Sequence, residues 1–314
     1  MRLSEAGWEV IAASRTPTSD MPGCREVALD RTDPAAVGRA IGSGVDLLLD
    51  CIAFDVADAA GLLAHTAGVG RFCVISSASV YRDAQGRTLD EAALNGFPDL
   101  PVGITEAHPT VPPGGETYST RKVAVEQAML AGAPGRATVL RPCAIYGPGS
   151  RHAREWWFVK RLLDRRAAIP LAYGGESRFH TTSVQSIAAA VLAAADGDAP
   201  AVMNVADPHA PTVAEIGRAI MTAMGRDAEM VPLPDRGFPP AAGTTPWSVP
   251  RPFVLAPSGA YCAAGGYADL VGLAVHDLVG RTRDRDWREV VPQLAAYPRP
   301  LFDYAAEDRA LGLT

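Results

Sequence analysis

Residues 118–122 read Tyr-Ser-Thr-Arg-Lys and open a segment, Val123–Ala133, whose apolar residues repeat at helical spacing. On a helix, Tyr118 and Lys122 would lie one turn apart on the same face. A cation within about 4–6 Å lowers the pKa of a tyrosine by about 1–3 units from its usual value of about 10. The spacing therefore favours a tyrosine that exchanges protons with a substrate hydroxyl or carbonyl, although an ordinary amphipathic helix could carry the same pair by chance.

Two strand-like runs flank this segment. Residues 71–81, RFCVISSASVY, form an apolar run that ends in small hydroxyl residues, and residues 137–148, ATVLRPCAIYGP, form a second run that ends in a turn. Elsewhere, apolar runs such as Val45–Ala53 alternate with helical patterns such as Val184–Ala195. Strands that are apolar throughout are typical of a parallel sheet covered on both faces. The sequence therefore predicts an α/β fold with a doubly wound parallel sheet.

A strand ending in serines, a YxxxK pair on a helix and a strand ending in LRPCAIYGPG follow one another in this chain. This order resembles the extended short-chain dehydrogenase/reductase family, also called the NAD-dependent epimerase/dehydratase group, over most of the chain. The resemblance implies a Rossmann-like dinucleotide-binding domain over residues 1–150, joined by 177–206. It also implies a smaller substrate lobe, formed by residues 151–176 and 207–314.

The resemblance implies roles for three residues of a catalytic site. Ser77 stands three positions before Val80, where the family has its catalytic serine or threonine, and would polarise the substrate oxygen. Tyr118 would be the acid/base, and Lys122 would lower its pKa while it binds the nicotinamide ribose. Ser79 is the alternative to Ser77 and is expected to contact the substrate. The serines could equally do no more than cap the end of the strand.

The end of the first strand, Trp8–Ala13, bears on the choice of cofactor. In this fold an acid at that position binds a free 2′-hydroxyl, whereas an arginine binds a 2′-phosphate. Ser14 stands in the place of the acid and Arg15 follows it, which favours NADP over NAD, although a solvated arginine would look the same. The other residues expected at the cofactor are Asp30, Arg31, Ala53 and Pro142, together with Tyr118 and Lys122.

A basic and aromatic segment follows the Gly-Pro-Gly turn, where chains of the family enter the substrate lobe. His152, Arg154, Trp156 and Trp157 would either bind an anionic or aromatic substrate or pack inside the lobe. Nucleotide-sugar enzymes of the family place an arginine near the position of Arg178, against the diphosphate. We expect Arg154 and Arg178 to contact the substrate.

Two further features of the sequence bear on the substrate. Nucleotide-sugar enzymes of the family have an asparagine just after the Leu-Arg of the sixth strand, and the run Arg141–Tyr146 has none. This difference favours reduction of a carbonyl on a smaller substrate. Residues 82–117 are polar, rich in proline and glycine, and weakly periodic, so we expect this long loop region to border the cleft. Its acids Asp90, Glu91 and Glu106 have no assigned role.

The opening of the chain departs from the family pattern. Met1–Ala6 have the pattern of the last turns of a helix, and no strand with a GxxGxxG turn precedes them. In the resembled fold that strand lies inside the sheet, in the order 3-2-1-4-5-6, and its turn holds the pyrophosphate. We therefore expect a gap of roughly 10 Å between the strands Trp8–Ala13 and Val45–Ala53. We also predict that Met1 is not the natural start and that roughly 25 residues precede it.

Composition and charge exclude several classes of function. The 314 residues are 48% hydrophobic and 20% charged, with a net charge of −6, which indicates a globular protein and argues against nucleic-acid or membrane partners. The 6 histidines lack metal-ligand spacing. Scattered cysteines, no signal-peptide pattern and no apolar run of about 18 residues favour a cytoplasmic protein. The composition leaves a homodimer open.

The leading interpretation is an NAD(P)-dependent oxidoreductase or epimerase/dehydratase acting on a hydroxyl or carbonyl of a small molecule through Ser77, Tyr118 and Lys122. The alternative is a non-catalytic dinucleotide-binding sensor or scaffold of the same fold. The intact set of three residues favours the enzyme, whereas the missing glycine turn favours the alternative. The fold alone does not decide between them.

Overall fold

Parallel strands form the centre of the molecule. The computed structural model describes residues 2–17, 23–234, 239, 241–257 and 263–313. Its main sheet has four strands in the order β3-β4-β5-β9, and every neighbouring pair is parallel. These strands are β3 (Val45–Asp50), β4 (Val69–Ile75), β5 (Ala137–Pro142) and β9 (Val202–Val205).

The first two strands stand apart from the main sheet. β1 (Val10–Ser14) and β2 (Cys24–Ala28) form a parallel pair of their own. In the described part of the chain, neither strand pairs with β3, which bonds to β4 alone. Every described strand pair is parallel, and the prediction of an α/β fold with a parallel, doubly wound sheet is confirmed.

Helices cover both faces of the main sheet. α3 (Val56–Leu63) and α5 (Tyr118–Gly132) pack against one face, where Val139 is buried. α7 (Val184–Asp196) packs against the other face, where Leu140 is buried. Successive side chains of a strand point to opposite faces. Strand β5 is therefore buried at every position, and four of its six residues, Ala137, Val139, Leu140 and Pro142, are apolar.

The largest apolar cluster lies outside this sheet, around Trp157, Trp247 and Phe253. Two short parallel strand pairs belong to this region, β6 with β8 and β7 with β10. Their bounds are β6 (Ala144–Tyr146), β7 (Ala168–Leu171), β8 (Thr181–Ser183) and β10 (Glu229–Pro232). The other described α-helices are α1 (Arg2–Glu5), α2 (Pro34–Ile41), α4 (Ala92–Asn95), α6 (Trp156–Leu163), α8 (Val213–Met224), α9 (Tyr267–Thr282), α10 (Trp287–Val290), α11 (Pro292–Ala295) and α12 (Tyr304–Ala310).

Local sequence explains where the helices near both ends of the chain stop. The pattern at Met1–Ala6 predicts the end of a helix, and Gly7, with a φ of +89°, follows α1 as a left-handed C-terminal residue. The segment Trp287–Ala295 forms two short helices, α10 and α11, because the nitrogen of Pro292 has no hydrogen with which to continue α10.

A buried ion pair joins α5 to β5. Arg141 donates to the Glu126 carboxylate from Nε at 3.0 Å and from Nη2 at 2.6 Å, and both side chains are buried. Arg141 Nη1 also donates to the Tyr81 hydroxyl at 3.0 Å, which in turn donates to Asn204 Oδ1 at 2.7 Å. The two charged groups are thus hydrogen-bonded to each other, and Arg141 also to Tyr81. The pair fixes the position of α5 over the sheet.

Candidate active site

Tyr118 and Lys122 owe their positions to the way α5 begins. The Thr117 hydroxyl accepts the backbone N–H of Thr120 at 3.2 Å, and the Thr120 hydroxyl accepts the N–H of Thr117 at 3.0 Å. This reciprocal capping starts the helix at Tyr118. Lys122 follows one turn later on the buried side and donates from Nζ to the carbonyl oxygen of Ala53 at 2.7 Å.

The relation between the two residues differs from the expected one. Lys122 Nζ also donates to the carbonyl of Ile75 at 3.0 Å and lies 5.9 Å from the centre of the Tyr118 ring. Burial raises the pKa of Tyr118, a hydrogen bond from Ser77 opposes that rise, and the charge of Asp90 adds to it. The spacing predicts a lowered pKa for Tyr118, whereas burial of the phenol raises it in this structure.

Ser77 and Ser79 have different surroundings. Ser77 ends the strand segment beside Tyr118, hydrogen bonds to its hydroxyl, and accepts the backbone N–H of Ser79 at 3.1 Å. Ser79 is buried, and its hydroxyl lies 3.1 Å from that of Ser119 and 3.0 Å from the amide nitrogen of Asp90. Ser77 thus stands with Tyr118 and Lys122 at the carboxyl edge of the sheet. Ser79 instead bonds within the protein, which differs from its expected contact with substrate.

The residues expected near the adenosine half of a dinucleotide lie at the ends of β1, β2 and β3. Arg15 is exposed directly after β1, and Asp30 accepts hydrogen bonds from the backbone and hydroxyl of Thr32 at 2.9 and 2.8 Å. Arg31 forms an ion pair with Asp50 at 2.9 Å. Those Thr32 hydrogen bonds, with a smaller contribution from the charge of Arg15, lower the pKa of Asp30.

The nicotinamide half has a separate set of residues. Ala53 and Pro142 are buried at the ends of their strands, and Phe54 next to Ala53 is 40% exposed, with its ring centre 6.0 Å from that of Tyr118. An ammonium has three donors, so Lys122 keeps one for a ribose hydroxyl. Phe54 was not predicted from the sequence as a residue near Tyr118. Its position directly after Ala53, beyond the end of β3, is the feature that could have indicated it.

The residues expected at the two ends of NAD(P) have no described counterpart for its centre. The dinucleotide pyrophosphate is normally held by backbone amides of a glycine-rich turn after a strand. Among residues 2–17 and 23–234, no such turn follows a strand of the main sheet. The same part of the chain, with residues 239, 241–257 and 263–313, contains no cluster of three or more metal-ligating side chains.

The two arginines expected at the substrate lie on either side of Phe179. The guanidinium of Arg154 stacks 5.6 Å from the centre of the Phe179 ring. Arg178 donates to the carbonyl of Ala210 at 2.7 Å. Arg178 also lines a cavity of about 400 Å³. The other side chains of that cavity include Tyr173, Glu176, Ser177 and Arg251.

The aromatic residues after the Gly-Pro-Gly turn pack inside the lobe. Trp156 and Trp157 are only 4% and 1% exposed, which settles their two alternatives in favour of packing. His152 lies beside Tyr297, with the ring centres 6.4 Å apart. Burial, helped by Arg154, lowers the pKa of His152 to about 4, so this imidazole is neutral at physiological pH.

Glu155 gives the protein an expected pH dependence of stability. The carboxyl group is 1% exposed and accepts the Tyr267 hydroxyl at 3.3 Å, while its other oxygen has no hydrogen-bond partner among the described residues. Burial raises its pKa from 4.5 to about 7 against the opposing effects of its own amide, Arg154 and Tyr267. A carboxyl group whose pKa is higher in the folded than in the unfolded state contributes stability that is fully present below its unfolded-state pKa. That stability is lost as the pH rises through the folded-state pKa.

The free energy of unfolding relative to Glu155→Gln should therefore fall by about 2–3 kcal/mol between about pH 5 and 8.5. Urea denaturation of both proteins across this range measures the difference. A difference that stays constant with pH would contradict the raised pKa.

The comparisons with known proteins agree with this arrangement. Residues 56–206 match the family model described as the NAD dependent epimerase/dehydratase family. A search of curated proteins finds no match for the sequence. The described helices include none long and apolar enough to cross a membrane.

Solved structures share the fold over nearly their whole length. UDP-glucose 4-epimerase of Thermotoga maritima with UDP-glucose is 18% identical, with a TM-score of 0.62 over 89% of this chain and 94% of that chain. The dTDP-glucose 4,6-dehydratase of Bacillus anthracis with NAD is 15% identical, with a TM-score of 0.65 over 92% and 93%. UDP-glucuronic acid 4-epimerase of Bacillus cereus with NAD is 14% identical, with a TM-score of 0.63 over 91% and 93%. Residues 56–206 of this chain are therefore similar to the NAD dependent epimerase/dehydratase family, and the fold of the chain is that of the solved epimerases and dehydratases.

Proposed function

We propose that this protein is an NAD(P)-dependent oxidoreductase or epimerase/dehydratase that acts on a hydroxyl or carbonyl of a small molecule. The observation that carries the proposal is the meeting of Ser77, Tyr118 and Lys122 at the carboxyl edge of the parallel sheet, where this fold binds ligands. The nicotinamide, when bound, supplies or accepts the hydride. The free thiols of Cys24, Cys51, Cys73 and Cys143 support work in a reducing compartment such as the cytoplasm.

Each of the three side chains has a task in this proposal. Tyr118, with its raised pKa, is protonated near neutral pH and donates its proton to a carbonyl oxygen as negative charge develops there. Ser77 donates a hydrogen bond to the same oxygen. Lys122 holds the ribose with its remaining N–H while its two carbonyl bonds fix α5 to the strand ends. A protonated tyrosine favours carbonyl reduction as the direction of reaction.

The substrate proposed is a small anionic carbonyl compound. Arg178 and Arg251 line one cavity and leave it with more basic than acidic side chains, since Glu176 is the acid among the lining residues. The Thermotoga relative was solved with UDP-glucose, so a nucleotide sugar is the larger alternative. The missing asparagine after Arg141 favours the smaller substrate.

A non-catalytic dinucleotide sensor remains the second candidate. It is favoured by the absence of a glycine-rich turn from the described strands of the main sheet. Thermal unfolding with NADPH or NADH, followed by turnover of small aldehydes, ketones and UDP-glucose, separates the two candidates. Protection with turnover supports the enzyme, protection without turnover supports the sensor, and no protection by either dinucleotide contradicts both.

The choice of cofactor is testable at Arg15. If Arg15 binds the 2′-phosphate through charge-assisted hydrogen bonds, Arg15→Ala should weaken NADPH binding by about 10-fold to 100-fold and leave NADH binding unchanged. Calorimetric titration with both cofactors measures this difference. Arg39→Ala, which removes an exposed arginine of α2, is the matched control and should change neither affinity. Equal losses for both cofactors at Arg15 would contradict the preference for NADP.

A further inference from the structure

Two adjacent acids, Asp90 and Glu91, have no part in the proposed reaction, and yet both contact the start of the catalytic helix. The Glu91 carboxylate accepts the hydroxyl of Ser119 at 2.9 Å and its backbone N–H at 3.4 Å. Thr88 donates to the same carboxylate. Ser119 directly follows Tyr118 in the first turn of α5, where backbone N–H groups have no partner within the helix. Glu91 supplies that partner.

The backbone of Asp90 is linked to the same first turn of α5 through Ser79. Its backbone N–H donates to the Ser79 hydroxyl at 3.0 Å, and that hydroxyl lies 3.1 Å from the hydroxyl of Ser119. Ser79 and Ser119 are 2% and 0% exposed, so these contacts are shielded from water. The acidic pair, the strand end and the first helical turn therefore form one bonded unit.

The loop that carries the pair is held in shape by Asp83. This buried carboxylate accepts the backbone N–H groups of Gln85, Arg87 and Asp99, each at 2.9 Å. It also pairs with the Arg87 side chain at 2.7 Å. Because the loop is bonded internally, Asp90 and Glu91 are held in place before any ligand binds.

The charged and titratable groups around Tyr118 act in different directions. Asp90 raises the pKa of Tyr118, and Ser77, from the end of β4, lowers it. Lys122, on the same helix, has its ammonium bound to carbonyls. Arg121 lies 5.2 Å from the ring of Phe54, on the far side of the site. Burial, with a further contribution from Glu91, raises the pKa of Asp90 itself, although the residue as a whole is exposed.

We infer that Asp90 and Glu91 are positioning residues of the active site: Glu91 fixes the turn that carries Tyr118, and Asp90, bonded through its backbone to Ser79, brings a negative charge to the same turn. The inference rests on the proposed function only for the catalytic role of Tyr118. It deepens that function, because the first turn of α5 sets where Tyr118 meets a substrate carbonyl.

The charge of Asp90 is tested on the tyrosine itself, without substrate. The whole protein is labelled with 3-fluorotyrosine, which ionises at lower pH than tyrosine, and its ¹⁹F spectrum is titrated with alkali. The Tyr118 signal is the one lost in Tyr118→Phe. Asp90→Asn should lower its ionisation midpoint by about one pH unit, and Asp90→Glu should keep it. Asp99→Asn, an exposed acid of the same loop paired with Arg251, should leave it unchanged.

The bond from Glu91 is tested by amide hydrogen exchange of Ser119. Glu91→Ala removes the acceptor, so exchange at this amide should become about 10-fold to 100-fold faster. Glu91→Gln, which keeps one oxygen acceptor, should restore part of the protection and serves if the alanine variant does not fold. Glu116→Gln alters an exposed acid just ahead of the same helix and should have no effect.

An unchanged Tyr118 midpoint in Asp90→Asn, or unchanged Ser119 exchange in Glu91→Ala, would overturn the inference. These results are independent of catalysis. If both changes occur and Tyr118→Phe turns over as fast as the unaltered protein, the proposed function fails and the positioning of Tyr118 stands. If Tyr118→Phe is inactive and neither change occurs, the positioning inference fails and the proposed function stands.

Discussion

Tyr118→Phe is expected to slow hydride transfer by about 10²-fold to 10⁴-fold, the usual effect of removing a general acid. The substitution deletes the hydroxyl that meets Ser77 and keeps the ring that packs beside Phe54 at 6.0 Å. Packing and fold should therefore survive, and the loss should appear in chemistry. The measurement is single-turnover oxidation of bound NADPH or NADH, on any carbonyl compound that the unaltered protein reduces.

The matched control is Tyr297→Phe, which removes the hydroxyl of a half-buried tyrosine in the lobe. It should react at the unaltered rate. Thermal stability should be similar in both variants, because each substitution removes one hydroxyl and keeps the ring. Turnover by Tyr118→Phe at the rate of the control would remove this tyrosine from the mechanism.

Arg141→Met is expected to lower the free energy of unfolding by about 3–5 kcal/mol. The substitution leaves the Glu126 carboxylate buried with the Ser76 hydroxyl as its remaining side-chain partner. It also removes a donor to the Tyr81 hydroxyl. Since whole domains are stable by about 5–15 kcal/mol, urea denaturation should show a large shift of the midpoint.

Two controls separate the buried pair from a general effect of losing an arginine. Arg288→Met removes a cation from an exposed pair with Asp286 and should cost less than about 1 kcal/mol. Arg141→Met with Glu126→Leu removes both buried charges and should recover much of the lost stability. Equal losses for Arg141→Met and Arg288→Met would show that the buried pair does not hold α5 to the sheet.

Local sequence determined the elements that lie close in the chain. The Thr117 cap, the four-residue spacing of Tyr118 and Lys122 and the apolar periodicity after them place a helix at α5, because these signals act within one or two turns. The largely apolar β5 run indicates a strand covered on both faces, since side chains alternate between the two helix layers. The order of strands and helices then matched a known arrangement, which placed Ser77 at the same sheet edge.

Only the tertiary structure decided what these residues meet. Lys122 bonds to carbonyls of Ala53 and Ile75, which lie 69 and 47 positions away. Burial raises the pKa of Tyr118, which the spacing predicts to be lowered. Glu91 reaches Ser119 across 28 positions, although the loop around it has no periodic pattern. Spacing along one element therefore predicted that Tyr118 and Lys122 lie one turn apart, and packing between elements determined their surroundings.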